Sequence, residues 1–128
     1  MATVVFDASA ILAVLRDEPG SEIVAKHIGD GLISAVNLQE VIKELLRRGV
    51  PLEHVGQLLE PLHLDVRPHG AADACVAAGL YAATRDHGSG LGDRSCMALA
   101  VVEGLPALTA DRAWANVAAD GLVVQLIR

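Results

Sequence analysis

Four acids, Asp7, Glu40, Asp93 and Asp111, stand at positions where a chain can gather charge. Asp7 follows the apolar run Thr3-Val-Val-Phe6, and Asp111 follows Pro106-Ala-Leu-Thr109. Glu40 and Asp93 fall early in segments of helical periodicity and read as first-turn residues. Right-handed crossovers put successive parallel strand ends on one side of a sheet. In open α/β sheets that side is where ligands bind. Carboxylates gathered there repel, and each raises the pKa of the others. A hard divalent cation relieves the conflict, and Mg²⁺ or Mn²⁺ takes oxygen ligands while keeping several waters. Such an ion acidifies water and neutralises charge on a phosphate, and a neighbouring carboxylate can orient or deprotonate the water. No softer Zn²⁺ site competes. The five histidines show no ligand spacing, and Cys75 and Cys96 lie apart in apolar helical patterns as reduced core thiols.

Taken singly, each acid has a plainer role. Asp7 can cap a helix. Glu40 can complete a capping box with Asn37 as the cap. Asp93 can complement a helix dipole, and Asp111 can serve a turn. The set carries the metal-site reading, not any one member. Ser9, Ser34, Asn37 and Thr109 lie near the same strand ends, where they can orient the carboxylates or act only as caps. Arg94 and Arg112 each follow an acid directly, placed for a phosphate contact or an ion pair. Glu44, one turn beyond Glu40, can support the acidic site from behind, but reads first as part of a solvated helix face.

The elements that must position these residues follow from periodicity. Strands are expected at Thr3–Phe6, Gly31–Ser34, Leu62–Val66 (edge-like, because it alternates), Pro106–Thr109 and Leu122–Ile127. Helices are expected at Asp7–Leu15, Ser21–Ile28, Ala35–Leu46, Pro51–Glu60, Ala71–Asp86 and Gly92–Glu103, with a short one at Asp111–Val117. Strands alternating with helices imply a largely parallel sheet covered on both faces.

The 128 residues read as one α/β domain. Apolar residues make up 52% and aromatics 2%, so the core must be built from Leu, Val, Ile and Ala. No uncharged apolar run approaches the length of a membrane helix, and Met1-Ala-Thr leads straight into a strand pattern without a signal segment. The reading is a soluble, cytoplasmic chain. Its net charge of −6 argues against a nonspecific nucleic-acid-binding module. It does not exclude a metal enzyme, because the ion reverses the local sign.

Four ordered segments resemble the PIN-domain family, in particular the VapC-type toxin ribonucleases of toxin–antitoxin pairs. They are Val5–Ala13, Ser34–Glu40, Leu91–Ala100 and Leu108–Trp114, and together they span nearly the whole chain. The resemblance implies a three-layer α/β/α fold and a Mg²⁺- or Mn²⁺-dependent endoribonuclease. Asp7, Glu40, Asp93 and Asp111 would be its acidic site, with Ser9 and Thr109 beside it. Products with 5′-phosphate and 3′-hydroxyl ends would follow. Asn37 stands where many members carry Thr, and Asn116 where some carry a further acid. A cognate antitoxin is implied as partner. Charge complementarity then predicts an Arg or Lys entering the acidic cluster from a segment laid over the helices at Ser21–Ile28 and Pro51–Glu60, with steric blockade alone as the alternative. A homodimer is also expected, since a small domain this rich in apolar residues leaves helix surface to bury.

Three other readings remain in view. A receiver-like phospho-acceptor module also places acids at strand ends. It calls for paired acids after the first strand and a late lysine, whereas the only lysines here are Lys26 and Lys43. A HAD-type phosphatase calls for Asp-x-Asp, and this chain has Asp7-Ala-Ser9. A non-catalytic PIN-like binding module would keep the fold without the chemistry.

Overall fold

A computed structural model describes Met1–Arg128 throughout. Five strands pair in the order β3-β2-β1-β4-β5, all parallel. They are β1 (Val4–Phe6), β2 (Gly31–Ser34), β3 (Asp65–Arg67), β4 (Ala107–Thr109) and β5 (Val124–Leu126). β1 is central and continuously apolar because both its faces are covered, and β2 and β4 beside it are buried along their whole length. The edge strands β3 and β5 are only partly buried.

Alternation along β1 sends its side chains into two separate cores. Val4 and Phe6 enter the larger, with Ala10 and Ile11 of α1 (Ala8–Leu15), Val24 of α2 (Ser21–Ala25), Val41 and Leu45 of α3 (Ala35–Arg47), and Val55 of α4 (Leu52–Leu59). Val5 enters the smaller, with Cys96, Met97, Leu99 and Ala100 of α7 (Leu91–Glu103) and with Trp114. α5 (Ala71–Gly79) packs on α7, and α6 (Tyr81–Thr84) follows it. The three-layer α/β/α expectation holds. Gly31 is required where β2 begins, because a Cβ there would overlap the Phe6 ring.

Several boundaries differ from the sequence reading. The expected helix 71–86 breaks at Leu80 into α5, α6 and a 3₁₀ turn at Arg85–His87. Gly79 is a weak helix former there, and the Thr84 hydroxyl turns back to the Leu80 carbonyl at 2.8 Å. Helix 21–28 stops at Ala25 and gives way to turns before Gly29, which takes φ +91°. Glu60-Pro-Leu62 forms a 3₁₀ turn with His63 left-handed after it, so the strand expected from Leu62 starts at Asp65. The short helix at 111–117 is a 3₁₀ turn, Arg112–Asn116. The last strand shrinks to Val124–Leu126. No helix is long and apolar enough to cross a membrane.

Candidate functional site

Asp7 leaves the carboxyl end of β1 at the position before α1, yet its side chain caps nothing. Its Oδ2 instead accepts the Ser9 hydroxyl at 2.6 Å and the Thr109 hydroxyl at 2.8 Å. Both hydroxyl protons go to Asp7, so the 3.2 Å approach of Ser9 Oγ to Thr109 Oγ1 is a contact rather than a bond. The same oxygens accept backbone N–H groups, Ser9 Oγ from Ala110 and Thr109 Oγ1 from Asp111. Strand β4 is thereby latched to the start of α1 around one carboxylate. Burial pushes the Asp7 pKa up to about 6, the two hydroxyls oppose the rise, and repulsion from Asp93 and Glu40 adds to it.

Asn37 does not cap α3. That position belongs to Ser34, whose Oγ accepts the Val36 N–H at 3.2 Å. The helix begins at Ala35, which places Glu40 in its second turn, and the capping box does not form. Asn37 is fully buried. Its Nδ2 donates to Glu40 Oε1 at 2.7 Å and to the Gly92 carbonyl at 2.9 Å, tying α3 to α7. Gly92 admits this approach, because a Cβ there would strike the Glu40 carboxylate. Burial raises the Glu40 pKa, the Asn37 amide and Lys43 oppose that, and Asp93 reinforces it.

Asp93 and Asp111 do act as caps. Asp93 Oδ2 accepts the Gly90 N–H at 2.9 Å at the start of α7, and Asp111 Oδ1 accepts the Ala113 N–H at 3.0 Å. Burial again raises the Asp93 pKa first, the Gly90 bond lowers it, and Asp111 raises it further. Trp114 is fully buried, and its indole N–H closes no full hydrogen bond. It is directed at Asp93, whose charge it favours. Each of the four carboxylates has one oxygen held by the protein and one without a hydrogen bond.

The four acids line a single open cleft of about 440 Å³ with Ser9. Its other wall is Arg16, Lys43, Glu44 and Arg47, of which the sequence reading weighs only Glu44 for the site. Glu44 is no idle solvated residue. It meets Arg47 at 2.8 Å, Lys43 at 3.0 Å and Arg16 at 3.5 Å. Bonds from Arg47 and then Lys43 hold its pKa down to about 2. The signal was present, because Glu40, Lys43, Glu44 and Arg47 follow the i, i+3, i+4, i+7 spacing of one helix face. Arg94 lies elsewhere. Its guanidinium sits 5.8 Å from the Tyr81 ring centre and donates to the Ser89 carbonyl, in a groove with His69 and Leu91. Arg112 is exposed and outside the cleft lining.

The donor set suits a hard cation: only carboxylate oxygens, four of them uncommitted, on groups that repel one another. No three acid, His or Cys side chains are placed to hold a metal ion by themselves, as a protein cage would. An ion that keeps part of its water shell, as Mg²⁺ does, needs no such cage.

The family model for the PIN domain matches residues 4–120, and the chain belongs to that family, whose members are generally nucleases. Among solved structures, the DNA-bound VapBC of Salmonella typhimurium matches at TM-score 0.78 and 17% identity over 100% of both chains. FitAcB of Neisseria gonorrhoeae matches at TM-score 0.71 and 19% identity over 98% of both. VapBC-5 of Mycobacterium tuberculosis, a member of the VapBC family of toxin–antitoxin systems, matches at TM-score 0.64 and 20% identity over 98% of this chain and 99% of its own. These likenesses are of fold. The search of curated proteins found no match.

Proposed function

We propose that this PIN domain is a Mg²⁺- or Mn²⁺-dependent endoribonuclease and the toxin of a type II toxin–antitoxin pair. The observation that carries the reading is the meeting of four carboxylates, from four separated segments, in one cleft. Three of them have pKa values raised by burial and mutual repulsion. Proteins do not keep such a group ionised without a counter-charge. Asp7, Glu40, Asp93 and Asp111 would hold the cation, which when bound supplies an acidified water and charge neutralisation at phosphate.

The chain's own residues do the positioning. Ser9 and Thr109 fix Asp7 Oδ2 and leave Oδ1 for the cleft. Asn37 fixes Glu40 in the same way, and the caps of α7 and of the 3₁₀ turn fix Asp93 and Asp111. A carboxylate oxygen left free by this arrangement accepts the proton of the attacking water as it opens the phosphodiester. The toxin assignment is supported by the fold shared with VapBC and FitAcB and by an acidic cleft suited to a basic inhibitor side chain. Arg suits it best, since its planar fork matches a carboxylate.

The test is cleavage of single-stranded RNA by purified protein with Mg²⁺ or Mn²⁺, set against EDTA and against Asp93→Asn. Cleavage only in the metal-loaded wild type is the expected result. Full cleavage in chelator, or by Asp93→Asn, would overturn the metal site. No cleavage under any condition, with RNA binding retained, would favour the non-catalytic module.

A further inference from the structure

The cleft has two ends of opposite charge, and the nuclease reading uses only one. Arg16, Lys43 and Arg47 form the other end. They come from two elements, Arg16 from the C-terminal end of α1 and the others from successive turns of α3. Glu44 lies among all three, and one carboxylate cannot satisfy three cations. Arg16 shows the deficit most clearly. Its side chain is 17% exposed, and its Nε and Nη2 are buried with no hydrogen-bond partner. Its neighbours, Glu44 at 3.5 Å and Glu18 at 3.8 Å, hold it in place without closing those bonds. Unmet donors on a buried guanidinium cost about 1–3 kcal/mol or more. Arg16 also lines the cleft, where an entering anionic oxygen would give its guanidinium a further counter-charge.

We infer that Arg16, Lys43 and Arg47 form a phosphate-binding subsite that grips the RNA backbone next to the phosphate at the carboxylates. The inference rests on the nuclease reading of the acidic end. Chemistry and position both favour a polyphosphate chain. Guanidinium groups match phosphate with paired N–H donors. Glu40 and Arg47 are seven positions apart on α3, about 10 Å along the helix, which leaves room for a flanking phosphate. The arrangement also explains how a chain of net charge −6 can hold nucleic acid. Attraction is confined to one wall of the cleft, and the carboxylate wall stays repulsive until a cation neutralises it. Glu44 preorganises the wall by keeping the three cations from splaying into solvent.

The test measures affinity for a fluorescein-labelled single-stranded RNA of mixed sequence by anisotropy. Ca²⁺ replaces Mg²⁺, and gels confirm that the RNA stays intact. Arg16→Gln and Arg47→Gln are expected to weaken binding about tenfold each and Lys43→Gln about threefold, the range for charge-assisted contacts. Each should lower the slope of log K against log salt by about 0.7, the value for one single-strand phosphate contact. Arg85→Gln, which removes an exposed charge outside the cleft, should change affinity less than twofold on that counterion basis. Equal losses in all four variants would reduce the effect to net charge and overturn the subsite. So would unchanged RNA affinity accompanied by weakened binding of a polyglutamate peptide, which would assign the wall to an acidic protein segment. If Arg16→Gln melts early, Arg47→Gln and Lys43→Gln carry the test, since their side chains are 62% and 63% exposed. Because the readout is binding, a failure of cleavage would strike the nuclease reading and leave the subsite measurable. Where cleavage occurs, the loss should appear in KM rather than kcat.

Discussion

The two pairs of acids in the cleft are built by different means. Asp7 and Glu40 are fixed by side chains, Asp7 by hydroxyls from positions 9 and 109 and Glu40 by the amide of Asn37. Asp93 and Asp111 are fixed by backbone N–H groups two or three residues away. Of these bonds only that from Thr109 to Asp7 reaches across the chain; those from Ser9 and Asn37, like the caps of Asp93 and Asp111, span two or three positions and would survive in a loosened fold. A carboxylate has two oxygens, so serving as a cap and serving as a ligand do not exclude each other. Asp93 and Asp111 each cap with one oxygen and keep the other without a hydrogen bond.

Substitutions sharpen this contrast, and the largest effect is expected at Asp7. Asp7→Asn should reduce cleavage by more than the roughly hundredfold typical of losing an outer partner of a metal ligand. It should raise metal-free stability at neutral pH, by at most about 3 kcal/mol given a pKa near 6 against an ordinary 3.8. The pH dependence has a definite sign. Between those two values the folded state binds more protons than the unfolded state. The stability from Asp7 is therefore complete below about 3.8 and lost as pH rises through about 6. Thermal melts of the metal-free protein across that window should fall with rising pH in the wild type and flatten in Asp7→Asn. Wild-type cleavage by Asp7→Asn would sink its assignment.

Thr109→Val comes next. It removes a donor to Asp7 and an acceptor for the Asp111 N–H inside a buried network. A loss of about 1–3 kcal/mol is expected, and the lower limb of the pH–rate profile should move to higher pH. A melt and a profile identical to wild type would show that the latch between β4 and α1 is idle. Asp111 tests the two-role idea directly. Asp111→Asn retains a capping oxygen and loses the charge, so cleavage should fall with stability unchanged within about 0.5 kcal/mol. Asp111→Ala loses both and should cost a further ~1 kcal/mol in the melt. If Asn and Ala behave alike in both assays, the separation of roles fails.

The smallest effect belongs to Trp114→Phe, which keeps the ring packing and deletes the N–H directed at Asp93. Cleavage should drop less than about tenfold, at the low end for an outer partner. In the wild type, Mn²⁺ should quench this sole tryptophan as the cleft fills. Absence of quenching at saturating Mn²⁺ would place the ion away from Asp93.

The sequence was most informative where local rules governed the outcome. β1, β2 and β4 are short apolar runs ending in polar residues, and the caps at Asp93 and Asp111 follow from position alone. It was least informative where a side chain is committed to a partner far along the chain. Asn37 looks like a helix cap by type and by its spacing to Glu40, but Ser34 has the free β geometry that a cap requires. Nothing local reveals that Asn37 faces Gly92, 55 positions away. The basic wall was missed for another reason. Lys43, Glu44 and Arg47 carry the periodicity of a solvated stripe, and only the packing of α1 against α3 brings Arg16 to them. Arg94 was a candidate because it adjoins Asp93 in sequence, yet successive helix positions point about 100° apart, and it turns to Tyr81.

The position of β1 at the centre of the sheet also bears on how the protein is made. Its partner on one side, β2, follows within about thirty residues, and its partner on the other, β4, is the next-to-last strand. The cleft therefore needs both the first and the last quarter of the chain. A nascent polypeptide on the ribosome, however well its β1–α1–β2–α3 half has folded, presents Asp7 and Glu40 without Asp93, Thr109 or Asp111. The acidic cleft is therefore assembled only once β4 and the turn after it have been made.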